Sequence, residues 1–325
     1  MNAAEPKPLS RQPTFGWGER KHKWWEYILY PIEYAAFRSI MALFWVLGLE
    51  RASDLGGWIA RSIGPKMPVS RRAQRALILA MPDLTADQRA DIIRRMWDNL
   101  GRTFGEYPHL DKFWAIKPGA RIEIENLAIA HEAVAKGHGA LFVSGHFGNW
   151  EIMPRCIKDA GLEGGIVYRA TNNPLVDHWI TTQRQTHILP NMAPKGPEGA
   201  RIILQLLKRN AMIAMLVDQK LNTGIEVPLF GHPAMTAPAA AHLSLKYGAP
   251  VVPVFNQRLP GSRFRVTIHP PVTVTPSGDR AADVMALTLK LNQFLEARIR
   301  EAPEMWLWLH NRWSKELTKA IPLAK

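Results

Sequence analysis

The chain contains a single cysteine, Cys156, among 325 residues. That excludes an intrachain disulfide framework and any zinc or iron–sulfur centre built on cysteine, and it fits a reducing compartment. Its 11 histidines show no H-x3-H or H-E-x-x-H spacing, so no metal site is expected. No G-x-S-x-G elbow occurs, which argues against an esterase of the usual α/β-hydrolase type. No G-x-G-x-x-G or G-x4-G-K-[ST] loop follows a strand-like run either, so the sequence carries no nucleotide fingerprint and no cofactor is expected. Long uncharged runs are scarce. The most apolar stretch, residues 24–50, is interrupted by Glu33 and Arg38, and its uncharged part falls short of the roughly 18–20 residues that a clean spanning helix needs. Residues 1–23 have no apolar core and no small-residue cleavage site. They read as a polar, flexible cytosolic tail and not as a signal peptide.

Acidic side chains are the minority, 28 against 41 basic ones, for a net charge of +13. Such a surface attracts phosphate, in nucleic acid, in an anionic membrane leaflet, or in an acidic carrier or substrate. The basic residues are scattered and no zinc-finger or RNA-recognition signature accompanies them, so nucleic acid is the weakest of these partners. Arg71, Arg72 and Arg75 fit a solvated helix face, and equally a face against lipid phosphates. The 12 tryptophans cluster: Trp17, Trp24, Trp25, Trp45 and Trp58 lie near the start, and Trp306, Trp308 and Trp313 near the end. Clustered tryptophan with a basic excess is the pattern of a chain at a membrane–water interface. With Pro31 in its first turn, a helix over 31–49 would be about 28 Å long, borderline for spanning. It is expected to insert into one leaflet or to act as a short tilted anchor; the alternative is an amphipathic helix packed on the protein's own core.

Residues 53–110 read as helical, with a capping-box start at Thr85. Short β-rich runs follow at 121–126, 140–146, 165–170, 211–219, 250–255 and 263–269. Between them lie amphipathic segments at 127–136, 149–160, 174–186, 198–209 and 237–247, and a last helix spans 280–299. The alternation predicts an α/β fold: a mostly parallel central sheet flanked by helices, with an N-terminal helical, membrane-associating appendage. The expected divisions are the tail 1–23, a helical region 24–110 holding the anchoring helix at about 31–49, and an α/β domain over 111–325 that ends in helices.

The strongest local signal is LFVSGHFGNWE at 141–151. His146 falls just past the carboxyl edge of a strand, where ligands bind in open α/β sheets. Gly148 and Asn149 look like a turn and cap opening a helix whose first turn holds Glu151. From the loop, His146 would have its second ring N–H bonded by the Glu151 carboxylate, giving a general base with a fixed tautomer. The alternative is a buried loop histidine, with Glu151 merely favouring a helix N-terminus. Phe230-Gly231-His232-Pro233 reads as a tight turn.

GHFGNWE resembles the His-x4-acid motif of the glycerolipid acyltransferase superfamily. With WDNLGRTFGEYPHL at 97–110, YRATNNPLVDHWI at 168–180, the stretches at 194–220 and 227–255, and PEMWLWLHNRWSK at 303–315, the chain resembles the bacterial late lipid A acyltransferases. These lauroyl and myristoyl transferases acylate a Kdo-bearing lipid A precursor. The resemblance covers most of 90–315 in order, and departs in the longer polar tail and the poorer N-terminal hydrophobic segment. It implies acyl transfer from acyl carrier protein, on the cytoplasmic face of the inner membrane, to a hydroxyl of the precursor. It further implies catalytic roles for His146, Glu151, Arg169 and Asp218. Arg169 would neutralise a phosphate, stabilise an oxyanion or pair with Asp218, and Asp218 would orient or simply pair. The candidate substrate-binding residues are Asn149, Asn172, Asn173, Gln219 and Pro253; Asn172 and Asn173 also suit a helix cap before Pro174. Expected partners are acyl carrier protein, the lipid A precursor and the anionic inner membrane, with no nucleic acid. Rival readings keep the chemistry on another glycolipid, phospholipid or aminolipid, or keep the fold in a non-catalytic lipid-binding membrane protein.

Overall fold

The computed structural model describes residues 8–9 and 23–323, and the rest of the expected tail, with Trp17, lies outside the described residues. The helical region comprises α1 (Glu26–Leu47), α2 (Leu49–Ile63), α3 (Ser70–Ala80) and α4 (Ala86–Glu106). The capping box forms as expected, Thr85 Oγ1 accepting from the Gln88 N–H and the Gln88 side chain from the Thr85 N–H. α1 begins ahead of Pro31, so the proline sits inside the helix and leaves one carbonyl of the preceding turn without its usual donor. No helix among the described residues is long and apolar enough to cross a membrane. α2 crosses α4 at a contact of small residues: a Cβ on Gly56 would lie 2.3 Å from the Gly101 carbonyl oxygen, a separation only glycine permits.

The second region runs β1 (Ile122–Glu125), α5 (Leu127–Ala135), β2 (Ala140–Ser144), α6 (Arg155–Asp159), β3 (Gly164–Tyr168), α7 (Pro174–His187), β4 (Asn191–Pro194), α8 (Pro197–Lys208), β5 (Met212–Leu216), β6 (Lys220–Leu229), β7 (His232–Thr236), α9 (Ala239–Tyr247), β8 (Val251–Leu259), β9 (Arg263–Ile268), α10 (Arg280–Glu301) and α11 (Lys315–Lys319). The described strands form a seven-stranded sheet in the order β1-β9-β8-β2-β5-β3-β4, and β6 and β7 form a separate hairpin. All neighbours in the large sheet are parallel except β8 and β9. The sheet is therefore mixed α/β and mostly parallel, as the alternation predicts.

Helices cover both faces. In β2, Leu141 and Val143 join the core beneath α3, α4, α8, α9 and α10, whereas Ala140 and Phe142 face the core beneath α1, α5 and α6. That two-sided burial accounts for a strand apolar at every position before Ser144. Three features depart from expectation. Residues 149–154 are turns, so the helix after the His146 loop shrinks to α6 and Glu151 lies outside it. β4 is a short, proline-containing edge strand, and β6 is too polar to announce itself by alternation. The tight turn expected over 230–233 is confined to Phe230 and Gly231, which both have positive φ as a type I′ hairpin requires, while His232 and Pro233 already belong to β7.

Candidate active site

The carboxyl ends of β2 and β5 are adjacent and in register, Ser144 opposite Leu216. Two residues beyond each pair partner come His146 and Asp218, so sheet register alone sets them side by side. The Asp218 carboxylate holds the histidine twice: Oδ1 lies 2.7 Å from the His146 Nδ1, and Oδ2 accepts the His146 backbone N–H at 2.8 Å. The Trp306 indole N–H also donates to Oδ2, at 2.8 Å. Asp218 is 1% exposed. Burial would raise its carboxyl, but the His146 contacts and the Trp306 N–H outweigh that and hold it well below the usual carboxylate range. An ionised carboxylate on Nδ1 fixes the N–H there and leaves the Nε2 lone pair for a substrate proton.

Glu151 does not take the part expected of it. Its carboxylate is bound in a bidentate fork by Arg184 of α7, at 2.7 Å on both oxygens. It also accepts from the Trp150 indole at 3.1 Å and from the Tyr107 hydroxyl at 3.5 Å. The reason is the turn at 149–154, which carries Glu151 toward α4 and α7 and interposes Trp150, whose ring packs edge-on against His146 at 5.1 Å. Burial would raise the Glu151 carboxyl, yet the Arg184 charge and hydrogen bonds keep it lowered. Burial likewise opposes the Arg184 charge, and Glu151 raises it in turn.

A buried polar clamp fixes the loop between these groups. Gly148 has φ +53°, and a Cβ there would sit 2.8 Å from the Asn256 carbonyl oxygen. The Gly148 carbonyl accepts from the Asn99 amide at 3.0 Å, and the Asn149 carbonyl from the Asn256 amide at 2.6 Å. The Asn149 amide donates to Glu106 at 2.8 Å, and Arg258 binds both Glu106 oxygens. Glu106 is 0% exposed. Removing one partner of a buried ion pair costs about 3–5 kcal/mol because the other charge stays behind. Arg258→Met is therefore expected to lower the unfolding free energy by about that much, read from the denaturant midpoint. The double variant Glu106→Gln/Arg258→Met recovers part of the loss.

The remaining expected residues divide. Gln219 joins the histidine: its Nε2 lies 3.2 Å from the His146 Nε2. Arg169 is exposed just past β3, and among the described residues it makes no ion pair with Asp218. Asn172 is exposed. Asn173 is buried and caps α7, accepting from the Leu175 N–H at 3.0 Å while donating to the Tyr30 carbonyl at 2.9 Å. Asn149 is buried in the clamp, and Pro253 is in register with Val143 inside the sheet, accepting from the His269 N–H at 2.9 Å. Arg184, Trp306 and His310 are the site residues the sequence did not single out. Trp306 and His310 lie in the Trp-rich segment 303–313, where their spacing matches no catalytic pattern. Arg184 stands in an ordinary amphipathic helix.

A cavity of ≈ 100 Å³ is lined by Trp150, whose ring also packs against His146. Its walls are Phe37 and Met41 of α1, Phe104 of α4, Ile180 of α7 and Trp150, and the Glu151–Arg184 pair closes one side. Thr103 and Tyr107 also line it, and the rest of its wall is apolar. Among the described residues no cluster of three or more His, Cys, Asp or Glu side chains is arranged to hold a metal ion.

The family described as bacterial lipid A biosynthesis acyltransferase matches residues 22–315. The chain is similar to the lipid A biosynthesis lauroyltransferase of Escherichia coli (strain K12), at 28% identity over 263 residues, 78% of this chain and 82% of that protein. It is also similar to a lipid A biosynthesis acyltransferase of Haemophilus influenzae, at 25% identity over 309 residues, covering 91% and 94% of the two chains. A lipid A biosynthesis palmitoleoyltransferase of Escherichia coli (strain K12) is 26% identical over 251 residues, 74% of this chain and 77% of that protein.

Proposed function

We propose, from the premise that this chain belongs to the bacterial lipid A biosynthesis acyltransferase family, that it moves a fatty acyl group from acyl carrier protein to a hydroxyl of a Kdo-bearing lipid A precursor. The observation that carries the mechanism is the Asp218–His146 hydrogen bond of 2.7 Å, with the opposite ring nitrogen turned to Gln219. His146 Nε2 takes the proton of the acceptor hydroxyl as its oxygen bonds to the thioester carbonyl carbon. The C=O electron pair moves onto the carbonyl oxygen. Collapse restores C=O and breaks the C–S bond, and the departing thiolate receives the proton from His146. Thioesters are activated donors, so a positioned base and charge stabilisation suffice without a covalent enzyme intermediate.

Each further residue has a matching part. Asp218 orients His146 and offsets the imidazolium as it forms. Glu151 and Arg184 brace Trp150 and the wall of the apolar cavity, where the acyl chain lies. Arg169, exposed at the same edge of the sheet, takes a phosphate of the donor's pantetheine arm or of the lipid. Asn172, also exposed, lies beside it.

The protein works at the cytoplasmic face of the inner membrane. On α1, Ile28, Ile32, Leu43 and Trp45 are exposed, as are Trp58 and Ile59 on α2. With no spanning helix among the described residues, these side chains suit a helix pair lying in one leaflet. The +13 charge draws in both the anionic leaflet and the acidic carrier. Mass spectrometry of lipid A tests the reading: cells lacking the protein are expected to make lipid A short of one secondary acyl chain, restored by the wild-type protein and not by His146→Ala. Lipid A of unchanged mass, with an altered phospholipid or aminolipid, would move the acceptor to that class.

A further inference from the structure

Direct attack on a thioester places negative charge on the carbonyl oxygen, and a donor must meet it there. Most donors around His146 are already spent. The backbone N–H groups of His146, Phe147 and Gly148 bond to Asp218, the Gly145 carbonyl and the Met305 carbonyl. The indoles of Trp150 and Trp306 bond to Glu151 and Asp218. Gln219 is different: its Nε2 stands 3.2 Å from the His146 Nε2 and 3.0 Å from the His310 Nε2, and the two imidazoles are 5.1 Å apart.

The direction of these bonds follows from Asp218. With a carboxylate oxygen at 2.7 Å, His146 Nδ1 carries a proton, and in the neutral ring its Nε2 is then an acceptor. The group facing that lone pair must donate, which sets the Gln219 amide with its NH2 toward both rings. The second amide N–H bonds to the His310 Nε2, and His310 is held neutral: burial, aided by the nearby His146, lowers it to about 4, against the opposing pull of Asp218. In the free protein, the Gln219 N–H therefore covers the lone pair that the acceptor hydroxyl needs. When the hydroxyl displaces it, that N–H is released within one hydrogen-bond length of the reacting atoms.

We propose that the Gln219 side-chain amide is the oxyanion donor of the acyl transfer, aimed by a hydrogen bond to His310, a positioning residue on the segment that also supplies Trp306. The step is the one described above: as the hydroxyl oxygen bonds to the carbonyl carbon and its proton passes to His146, the Gln219 N–H turns from the His146 Nε2 to the oxygen gaining charge. It stays there until C=O reforms and the thiolate leaves. The inference rests on His146 acting as the general base.

Steady-state rates and pH profiles of the purified full chain test it, with acyl carrier protein bearing a labelled chain and a Kdo-bearing precursor as substrates. Gln219→Ala is expected to lower kcat by about 10²–10³, the usual effect of losing one oxyanion donor, with KM for both substrates little changed. Gln219→Glu keeps the shape, replaces the donor by a negative acceptor and favours the imidazolium. It is expected to lower kcat at least as far and to move the acid limb of kcat/KM to higher pH. His310→Ala lowers kcat by about tenfold through a misaimed amide, and His310→Gln, whose carbonyl can accept the same N–H, recovers most of it. The proposal is overturned if folded Gln219→Ala and Gln219→Glu proteins keep wild-type kcat and pH profiles, or if their losses lie in KM or in melting temperature alone. His310→Gln behaving no better than His310→Ala would remove the positioning role. Should His146→Ala itself stay active, the general-base reading fails first; if it is inactive while the Gln219 variants are unimpaired, only the oxyanion assignment fails.

Discussion

The His146→Ala protein is expected to fold as the wild type does and to transfer acyl chains about 10²–10⁴ times more slowly, the usual contribution of a positioned general base. The loss is expected in kcat, because the cavity and the exposed Arg169, proposed to engage the substrates, are untouched. Folding survives because the Asp218 Oδ2 keeps the backbone N–H of residue 146 and the Trp306 indole. Initial rates at saturating donor and acceptor, with circular dichroism on the same samples, check both halves. If the variant kept near-normal turnover, proton removal by His146 would not be part of the reaction.

The second large effect separates the two carboxylates. Two donors, the His146 backbone N–H and the Trp306 indole, point at the same oxygen of Asp218, Oδ2. In Asp218→Asn the single amide oxygen must take that place, which turns the new NH2 toward His146 Nδ1. The ring then carries its proton on Nε2 and has no lone pair for the acceptor hydroxyl. Such a tautomer reversal lowers kcat by about 10⁴ in the serine-protease triad while leaving the geometry intact, and a fall of about 10³–10⁴ is expected here. Glu151→Gln leaves the tautomer alone. It leaves Arg184 without its counter-charge and disturbs the wall beside Trp150, so its cost appears in stability and in donor KM. Imidazole 15N shifts report the difference: a protonated Nδ1 in the wild type and in Glu151→Gln, and a protonated Nε2 in Asp218→Asn.

The two carboxylates also show where the sequence stops being legible. Periodicity suffices for most helices and for the strands ending at Ser144 and Leu216, because their apolar patterns are continuous and bounded by turns. It even places His146 and Asp218 at the carboxyl ends of two strands. What it lacks is strand order: the paired ends of β2 and β5, Ser144 and Leu216, are 72 residues apart in the chain, and no local signal says they are neighbours. Glu151, five positions from His146, looked the nearer partner, but the turn at 149–154 and the pull of Arg184 take it elsewhere. Arg184 and His310 carry no local signal for the same reason, since each becomes part of the site only through packing of α7 and of the segment after α10. The clamp residues Glu106, Arg258 and Asn149 are buried charges and amides whose value lies in one another. A single polar letter in a helix or strand does not announce that.

The most direct test is the reaction of the wild-type protein itself: purified chain, acyl carrier protein carrying a radiolabelled acyl thioester, and a Kdo-bearing lipid A precursor. The expected result is one labelled ester per precursor, formed only when donor, acceptor and protein are all present, with no label retained on the protein when the acceptor is withheld. No transfer to the precursor, or a stable acylated protein formed from donor alone, would contradict it.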